Sequence, residues 1–201
     1  MQKIVLASNN HGKLAEFKAL FEPLNLAVLP QGELGVSEAE EPFGTFVENA
    51  LAKARHASAS TGLPAVADDS GLCVLALNGA PGVYSARYAA LHQAGQGDAA
   101  NNAFLLQKLG QETQRKACFV CVLVYVNSPE DPRPLIAEGV WWGEVAQAAS
   151  GTNGFGYDPL FYIPALQKSS AELSPAEKNT YSHRAQALRL LVKQLAAIRS
   201  S

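Results

Sequence analysis

Cysteine is scarce in this chain, and its three cysteines are too few to pair completely within one molecule. A reducing compartment would keep them as thiols. Cys118 and Cys121 have C-x-x-C spacing, but they lie in a β-rich run, where an offset of three directs side chains to opposite faces. The sequence has no second C-x-x-C, so small apolar packing residues are favoured over a zinc or redox pair.

An excess of positive charge is also missing. The 16 Lys and Arg residues are matched by 18 Asp and Glu residues, which gives a formal net charge of −2 without a polybasic block. Binding to a phosphate backbone regardless of sequence needs such a block, so duplex nucleic acid is not expected as a partner.

Long apolar runs are absent too. No run approaches the roughly 20 residues that span a bilayer, so no membrane partner is expected. A hydrophobic content of 48% nevertheless excludes a disordered chain. The apolar start is shorter than a signal peptide and leads directly into a polar turn, which predicts a soluble, cytoplasmic protein.

The 201 residues are enough for one large domain or two small ones. No linker, internal repeat or low-complexity tract divides the sequence, and predicted strands alternate with predicted helices. This order favours a single α/β domain over residues 1–201, with one or two lobes, over two independent domains.

Hydrophobic periodicity and capping residues locate these elements. The predicted strands cover residues 3–7, 64–67, 72–77, 117–126 and 135–140. Helices are predicted after the polar turn at 8–10, from the cap Thr45, over 99–109 between Asp98 and Gly110, from the capping box at 174–177, and from 182 through the apolar stripe at 188–198.

Three local patterns bear on the chemistry. Thr45 and Glu48 have the spacing of a capping box, which explains Glu48 without a catalytic role. Asn49 and Lys53 follow one helical turn apart, so their side chains are expected to project together. Residues 68–71 have the composition of a turn between two strands.

The polar segment after the first strand precedes a helix. It consists of Ser8, Asn9, Asn10, His11, Gly12 and Lys13. Free backbone N–H groups and the helix dipole favour an anion there, and Lys13 adds a positive charge. Leu14 replaces the Ser or Thr of a Walker A loop, so that motif is excluded. An ordinary capped turn is the alternative to a phosphate site.

Asp68 and Asp69 are adjacent carboxylates at a predicted strand end. Such a pair can bind Mg²⁺ through one or two oxygens and leave positions for water and substrate phosphates. A solvated Asx turn is the alternative. Glu40 and Glu41 lie in an acidic loop upstream, and on their own they indicate only a solvated segment.

Two later segments have the composition of a ligand site. Phe155 lies between two glycines, which would let a flat base approach the backbone and stack. Pro159 stands where a dinucleotide-binding loop has its third glycine, so a Rossmann motif is excluded. His183 and Arg184 put cations at a helix start, against the helix dipole, which suggests a negative or polar ligand. A capped, exposed helix end is the alternative.

Together these motifs are more specific than any one of them. In order they read S-x-N-x-x-K at 8–13, T-F-x-E-N-A-x-x-K-A at 45–54, A-D-D-S-G-L at 67–72, G-x-P-G-x-x-S-A-R-Y at 79–88, G-F-G-Y-D-P-x-F at 154–161, K at 178 and S-H-R at 182–184. In this arrangement the sequence resembles the inosine triphosphate pyrophosphatase family, and specifically its bacterial branch. The resemblance extends over residues 8–184.

The resemblance implies hydrolysis of inosine, deoxyinosine or xanthosine triphosphate (ITP, dITP or XTP) to the monophosphate and pyrophosphate, which removes deaminated purines from the nucleotide pool. It also implies Mg²⁺ as cofactor and a homodimer. The implied fold is α/β, with an elongated mixed β-sheet flanked by helices and two lobes that enclose the active site in a cleft.

Residue roles follow from the same resemblance. The segment at 8–13 would hold the triphosphate, Lys53 would neutralise it, and Asp69 would act as general base and metal ligand beside Asp68. Either Glu40 or Glu41 falls where the family has a metal-binding glutamate. The nucleoside side would comprise Ser70, Phe155, Gly156, Tyr157, Asp158, Lys178, His183 and Arg184.

Base recognition can be framed by hydrogen-bonding groups. Lys178, His183 or Arg184 would donate to the 6-oxo group of hypoxanthine or xanthine. Asp158 or a backbone carbonyl would accept from N1–H, so adenine would meet mismatched groups at both positions. A phosphotransferase with the same triphosphate grip and a nucleotide-binding regulator without turnover are the alternative functions.

Overall fold

A computed structural model describes residues 2–199, without the side chains at positions 11, 12, 16, 19, 20 and 199. The strands are β1 (Gln2–Leu6), β2 (Leu26–Pro30), β3 (Ala65–Val74), β4 (Lys116–Val126), β5 (Leu135–Val145), β6 (Phe161–Ile163) and β7 (Lys168–Ser169). The α-helices are α1 (His11–Phe21), α2 (Phe46–Thr61), α3 (Tyr88–Leu91), α4 (Gly97–Leu109), α5 (Pro175–Tyr181) and α6 (His183–Arg199). Short 3₁₀ helices cover Glu22–Leu24, Gln31–Leu34, Leu75–Leu77, Gly82–Arg87 and Ser170–Glu172.

The seven strands form one mixed sheet in the order β2-β1-β3-β4-β5-β6-β7. β1 runs parallel to both β2 and β3, whereas β6 is antiparallel to β5 and β7. Helices α1 and α2 connect the parallel strands, as parallel pairing requires a crossover. The α/β class and the mixed sheet flanked by helices are therefore confirmed.

The register of β1 and β3 positions the polar residues that follow β1. Leu6 pairs with Val66, so the chain leaves β1 at the level where β3 continues toward Asp68. Parallel strands have their carboxyl ends at the same edge, which brings the start of α1 toward Asp68 and Asp69.

The predicted turn at residues 68–71 is wrong. β3 continues through it from Ala65 to Val74, and the chain turns afterwards in the 3₁₀ helix Leu75–Leu77. Asp68 and Asp69 are buried and each is paired with a lysine. These ion pairs stabilise the two carboxylates within the strand, although the local composition is typical of a turn.

Other differences concern short strands and one helix start. β2 was not expected from the sequence; it ends in Pro30 and lies at the sheet edge, where proline is tolerated. α4 begins at Gly97 after the N-cap Gln96, so Asp98 is in the first turn and not the cap. Gly110 ends α4 as predicted.

The capping predictions at α1, α2 and α5 are largely confirmed. Asn10 caps α1, and Ser174 forms a complete capping box with Glu177 at α5. At α2, Thr45 accepts the backbone N–H of Glu48, while the Glu48 carboxylate accepts the Thr45 hydroxyl and not its backbone N–H.

The chain divides into two compact units. The first contains the residues up to Asp69, then Cys121–Gly139 and the residues from Gln186 onward. The second contains Ser70–Val120 and Val140–Ala185. A single domain over residues 1–201 stays a prediction beside this division.

Each unit has its own apolar core. The first is built on β1, β2, α1, the second half of β4 and α6; its fully buried members include Ile4, Leu6, Phe17, Phe21, Leu123 and Leu191. The second is built on β3, α4 and the first half of β4; its members include Leu72, Leu105, Phe119, Trp141, Leu160 and Phe161. No helix among residues 2–199 is long and apolar enough to cross a membrane.

The cysteines are thiols in the structure, as expected. Cys118 and Cys121 are buried on β4, whose alternation directs them to opposite faces, and Cys121 packs in the core of the first unit. Burial raises the pKa of the Cys73 thiol to about 11, which keeps it protonated at neutral pH.

Candidate functional site

The segment between β1 and α1 is organised by its own side chains. The Asn10 side chain accepts the backbone N–H of Lys13 at 3.0 Å, and the Ser8 hydroxyl accepts that of Asn10 at 3.2 Å. These caps fix the start of α1, whose first N–H groups favour an anion. The predicted contributions of the His11 side chain and of Gly12 lie outside the described part of the structure.

The Asn9 side chain contacts Gly32, a residue in the 3₁₀ helix after β2 that the sequence analysis did not link to this site. Its Oδ1 accepts the backbone N–H of Gly32 at 2.9 Å, and a Cβ at position 32 would lie 2.6 Å from the same oxygen. A side chain at position 32 would therefore displace the Asn9 carboxamide from this hydrogen bond.

Lys13 and Asp68 form a close ion pair in the first unit. The Lys13 Nζ lies 2.8 Å from both Asp68 oxygens. The Asp68 side chain is 1% exposed, whereas that of Lys13 is 23% exposed. The cation therefore faces solvent while its counter-charge is buried beneath it.

Lys53 links two further carboxylates. Its Nζ lies 2.7 Å from Glu41 Oε1 and 3.2 Å from Asp69 Oδ1. Asn49, one turn earlier on α2, is buried and donates to Asp69 Oδ2 at 3.4 Å. Its amide also exchanges two hydrogen bonds of 3.1 Å with the backbone of Phe43. The expectation that residues 49 and 53 project together is confirmed, and Asn49 joins the candidate site, although the sequence gave it no role.

We call Lys13, Glu41, Lys53, Asp68 and Asp69 the lysine–carboxylate group. Its electrostatics are asymmetric because one ammonium is shared by several carboxylates. Burial disfavours the charged form of Lys53, but neighbouring carboxylates, chiefly Asp69, outweigh burial and raise its pKa. Burial raises the pKa of Asp69 as well, although Lys53 opposes this rise. Asp69 is thus a stronger base than an ordinary aspartate.

A divalent cation fits this donor set only with help from a ligand. Within the described part of the chain, no three or more His, Cys, Asp or Glu side chains are grouped as a metal site. Glu41 and Asp69 nevertheless converge on one cation, the Lys53 ammonium. Mg²⁺ commonly uses one or two carboxylates plus substrate phosphates, so the two oxygens suit it. Glu40 is exposed.

Residues 154–158, which we call the glycine loop, lie in the second unit. Gly154 has a φ of +78°, and a Cβ there would lie 2.1 Å from Asp158 Oδ2, so only glycine fits. Phe155 is 59% exposed between its two glycines. The loop therefore presents an aromatic ring outward, as base stacking would require.

Asp158 is the internal support of the glycine loop. It is 2% exposed; Oδ1 accepts the Ser170 hydroxyl at 2.8 Å, and Oδ2 accepts the backbone N–H of Phe155 at 2.8 Å. Lys178 also bonds to Oδ2, and its Nζ lies 5.3 Å from the centre of the Phe155 ring. These contacts support a positioning role for Asp158 and leave a backbone carbonyl as the better candidate acceptor for a base N1–H.

The remaining predicted residues also fall in the second unit. The Tyr157 hydroxyl donates to the Ser85 carbonyl at 2.9 Å, and burial raises the Tyr157 pKa. His183 is 7% exposed and stacks on Phe119 at 4.8 Å between ring centres. His183 is therefore not on the exposed helix end that was the alternative. The Arg184 guanidinium lies 3.4 Å from the Ser70 hydroxyl.

The parallel βαβ connections and the lysine–carboxylate group together define an α/β protein with a candidate site for phosphate and a hard cation. The sequence profile of the Ham1 family matches residues 4–194. The chain therefore belongs to the Ham1 family, and the resemblance inferred from its motifs is confirmed.

Individual relatives are similar over nearly the whole chain. A protein of Ralstonia nicotianae named dITP/XTP pyrophosphatase is 66% identical over 195 residues, covering 97% of each chain. A solved HAM1 protein from Coxiella burnetii has a TM-score of 0.93 and 50% identity, covering 98% of this chain and 100% of its own. The Ham1 protein of Staphylococcus aureus has a TM-score of 0.89 and 43% identity, covering 98% and 99%.

Proposed function

We propose that this protein hydrolyses ITP, dITP and XTP to the nucleoside monophosphate and pyrophosphate, and so removes deaminated purines from the nucleotide pool. Full-length similarity to proteins named dITP/XTP pyrophosphatase supports this reaction. The observation that carries the proposal is the Lys53 ammonium held between Glu41 and Asp69. This contact puts a cation for phosphate, carboxylates for a metal and a basic oxygen in one place.

The triphosphate is assigned to the start of α1 and to the two lysines. Backbone N–H groups in the 8–13 segment would bind phosphate oxygens, with the helix dipole adding to the attraction. Lys13 and Lys53 now neutralise carboxylates, and an incoming triphosphate would compete for the same ammonium groups. Both lysines are partly exposed and can therefore meet it.

Asp69 is assigned the role of general base. It would accept a proton from the water that attacks the α-phosphorus as the bond to the pyrophosphate leaving group breaks. Its raised pKa strengthens it for this task, since a base works best with a pKa nearer the operating pH. Lys53 on Oδ1 and Asn49 on Oδ2 would hold the carboxylate in orientation. Asp68 would act through Lys13, as a positioning residue.

Asp69 and Glu41 would hold Mg²⁺ together with phosphate oxygens. Glu41 is preferred to Glu40, because Glu41 is the one that reaches Lys53. Bound Mg²⁺ would neutralise phosphate charge and lower the pKa of a coordinated water. Chelation of divalent metal is expected to abolish turnover and to leave the melting curve of the nucleotide-free protein nearly unchanged, because Mg²⁺ is assigned to this site together with substrate phosphates.

The base is assigned to the second-unit residues. Phe155 would stack on the purine, with Gly156 and Tyr157 maintaining the loop. Lys178, His183 or Arg184 would donate to the 6-oxo group, and Ser70 would stand beside Arg184. Buried hydrogen bonds of this kind can discriminate between bases by roughly 10⁴-fold.

The decisive experiment incubates the purified protein with ITP and Mg²⁺ and identifies the released phosphate. Pyrophosphate together with inosine monophosphate is the expected result, with ATP turned over far more slowly. Orthophosphate or transfer to an acceptor would favour the phosphotransferase. Nucleotide binding without any product would favour a regulator.

We further propose a homodimer in the cytoplasm. The outward-facing side chains of β5 include Ile136 and Trp142, which are 45% and 50% exposed. A second copy would cover these two side chains, between and beyond which Glu138 and Glu144 are also exposed, and a homodimer is what the family resemblance implies. Analytical ultracentrifugation should give about twice the monomer mass. A monomer would refute the proposed homodimer and would leave the proposed reaction unaffected. The cytoplasmic location follows from the proposed substrates, which belong to the nucleotide pool.

A further inference from the structure

Two side chains of α4 hold the glycine loop from outside it. Asp98 Oδ2 accepts the backbone N–H of Gly156 at 2.6 Å. Asn102 Nδ2 donates to the Gly156 carbonyl at 2.8 Å and to the Asp98 carbonyl at 2.9 Å. Residues four apart lie on one face of a helix, so both side chains reach the same loop residue.

The loop needs such support at this position. Gly154 and Gly156 both have positive φ, at +78° and +61°, and glycine leaves the backbone the most freedom of any residue. On one side of Gly156, the Phe155 backbone N–H donates to the Asp158 carboxylate and its carbonyl accepts the Asp158 N–H at 3.2 Å, while its ring is exposed. On the other side, Tyr157 is fixed by Ser85. Gly156 lies between these two residues, and the contacts from α4 hold its backbone N–H and carbonyl.

We infer that Asp98 and Asn102 are positioning residues that fix the Phe155 ring for base stacking and thereby contribute to purine selectivity. The inference rests on the proposed function. The two side chains act on the loop backbone and not on the nucleotide itself. Their effect should therefore appear in binding of the purine more than in the hydrolytic step.

The two contacts differ in what a substitution removes. Asp98→Ala deletes the acceptor, whereas Asp98→Asn keeps an oxygen that can still accept from Gly156. Asn102→Ala deletes the donor, and Asn102→Asp would set a carboxylate against the Gly156 carbonyl. A hydrogen bond to a charged group is stronger than a neutral one, so Asn should restore part of what Ala removes at position 98.

The matched control is Asp131→Ala in the first unit. The Asp131 carboxylate also accepts backbone N–H groups, those of Asn127 and Arg133, each at 2.9 Å. Its loss removes the same kind of contact from a loop with no assigned part in the reaction. Any effect common to both variants therefore reflects general stability.

The first measurement needs no turnover. In Asp98→Ala the Gly156 amide loses its hydrogen bond to the carboxylate. Hydrogen–deuterium exchange of the intact protein should therefore be about tenfold faster at this amide, which corresponds to about 1.4 kcal/mol of lost protection. Asp131→Ala should leave this amide unchanged. Unchanged exchange in Asp98→Ala would overturn the inference that α4 holds the loop.

The second measurement is steady-state pyrophosphate release from ITP and from the pyrimidine nucleotide UTP. Asp98→Ala should raise KM for ITP about tenfold, the ratio set by the same energy, while kcat changes less. Asp98→Asn should recover part of the loss, and Asp131→Ala should match the wild type. Faster exchange without a change in KM for ITP or in the ratio of kcat/KM for ITP to that for UTP would overturn the positioning role. Absence of pyrophosphate from the wild type would instead overturn the proposed function and the link to selectivity, while exchange would still decide whether α4 holds the loop.

Discussion

Two lysine–aspartate pairs, one in each unit, have nearly the same burial but different surroundings. The side chains of Lys13 and Lys178 are 23% and 21% exposed, and those of their partners Asp68 and Asp158 are 1% and 3% exposed. Lys13 contacts both oxygens of Asp68 with one ammonium. Asp158 instead receives neutral donors on both oxygens in addition to Lys178, including the Ser170 hydroxyl.

The difference separates a binding arrangement from a supporting one. In the lysine–carboxylate group, partly exposed ammonium ions pair with buried carboxylates, and phosphate oxygens can compete for those ions. Around Asp158, hydroxyl and backbone donors fix the carboxylate in place, so it holds the shape of the glycine loop. Equal burial therefore does not mean equal function; the chemistry of the donors distinguishes the two pairs.

The comparison is tested most strongly by Asp69→Asn. The amide keeps the shape of the side chain but loses its basicity and charge. Loss of a general base lowers the rate by about 10²–10⁴-fold, and weaker metal binding would add to this. We expect kcat for ITP to fall by at least that factor, while nucleotide binding measured by calorimetry persists.

The matched control is Asp158→Asn in the supporting arrangement. It should act on KM and base selectivity more than on kcat. An Asp69→Asn variant that retained most of the wild-type rate would make residue 69 a structural strand residue, and the two carboxylate regions would then have the same supporting role.

The second test compares Lys13→Met with Lys178→Met in thermal unfolding without nucleotide. Removing one partner of a buried ion pair typically destabilises a protein by about 3–5 kcal/mol. Lys13→Met withdraws an ammonium that lies 2.8 Å from both oxygens of Asp68, and should approach this range. Lys178→Met withdraws an ammonium bonded to one oxygen of Asp158, whose neutral donors stay, and should cost clearly less.

This expectation adds a structural part to Lys13, which the sequence presents only as a phosphate-facing cation. Lys13→Met should therefore lower both the melting temperature and the rate. Equal melting temperatures for the two lysine variants would refute the distinction between the pairs. Chemical unfolding at constant pH would separate this result from a change in unfolding heat capacity.

How much of the fold the sequence predicts depends on how local the signal is. The helix starts at Asn10 and Ser174 and the stop at Gly110 depend on neighbouring residues, and they are confirmed. The turn expected at residues 68–71 is wrong because the lysines that neutralise Asp68 and Asp69 lie 55 and 16 positions away in sequence. Strands β6 and β7, with three and two residues, are too short for periodicity to reveal.

The same reasoning applies to the candidate site. Lys53 and Asn49 could be paired from their helical spacing, and both reach Asp69. Asp98 could not be connected with Gly156 from the sequence, because the two are 58 positions apart. An aspartate at that position of the sequence is also typical of an ordinary helix cap. Local patterns therefore identify residues on one element, whereas contacts between elements require the structure.

The third test addresses base selectivity in the second unit. With the wild type we expect kcat/KM to fall in the order ITP or XTP, then GTP, then ATP and pyrimidine triphosphates. GTP shares the 6-oxo group with ITP, so the protein can discriminate against GTP only through its 2-amino group. Arg184→Ala should narrow the ITP-to-ATP ratio by about tenfold, the value of one lost hydrogen bond to a charged group. Comparable wild-type rates with ATP and ITP would overturn the base assignment and leave the triphosphate assignment intact.

The smallest expected effect concerns the stability of the lysine–carboxylate group as a function of pH. Burial raises the pKa of Asp69 above its usual value of about 3.9, despite the opposing effect of Lys53. The folded protein then binds the proton more tightly than the unfolded chain. The carboxyl group's contribution to stability is therefore present below about pH 3.9 and is lost as the pH rises through the raised value.

Asn at position 69 is uncharged throughout and avoids that loss, while Lys53 keeps Glu41 at 2.7 Å. With divalent metal chelated, we expect Asp69→Asn to melt about 2–4 °C above the wild type at pH 7, the shift that 1 kcal/mol produces in a chain of this length. The difference should shrink as the pH falls toward 4. A lower melting temperature at pH 7 would mean that the ion pair with Lys53 outweighs burial, and Asp69 would then resemble the stabilising partner that Asp68 provides for Lys13. A higher melting temperature would mean that Asp69→Asn, the variant expected to lose the most activity, is more stable than the wild type. The Asp69 carboxylate would then contribute to catalysis while it destabilises the folded protein.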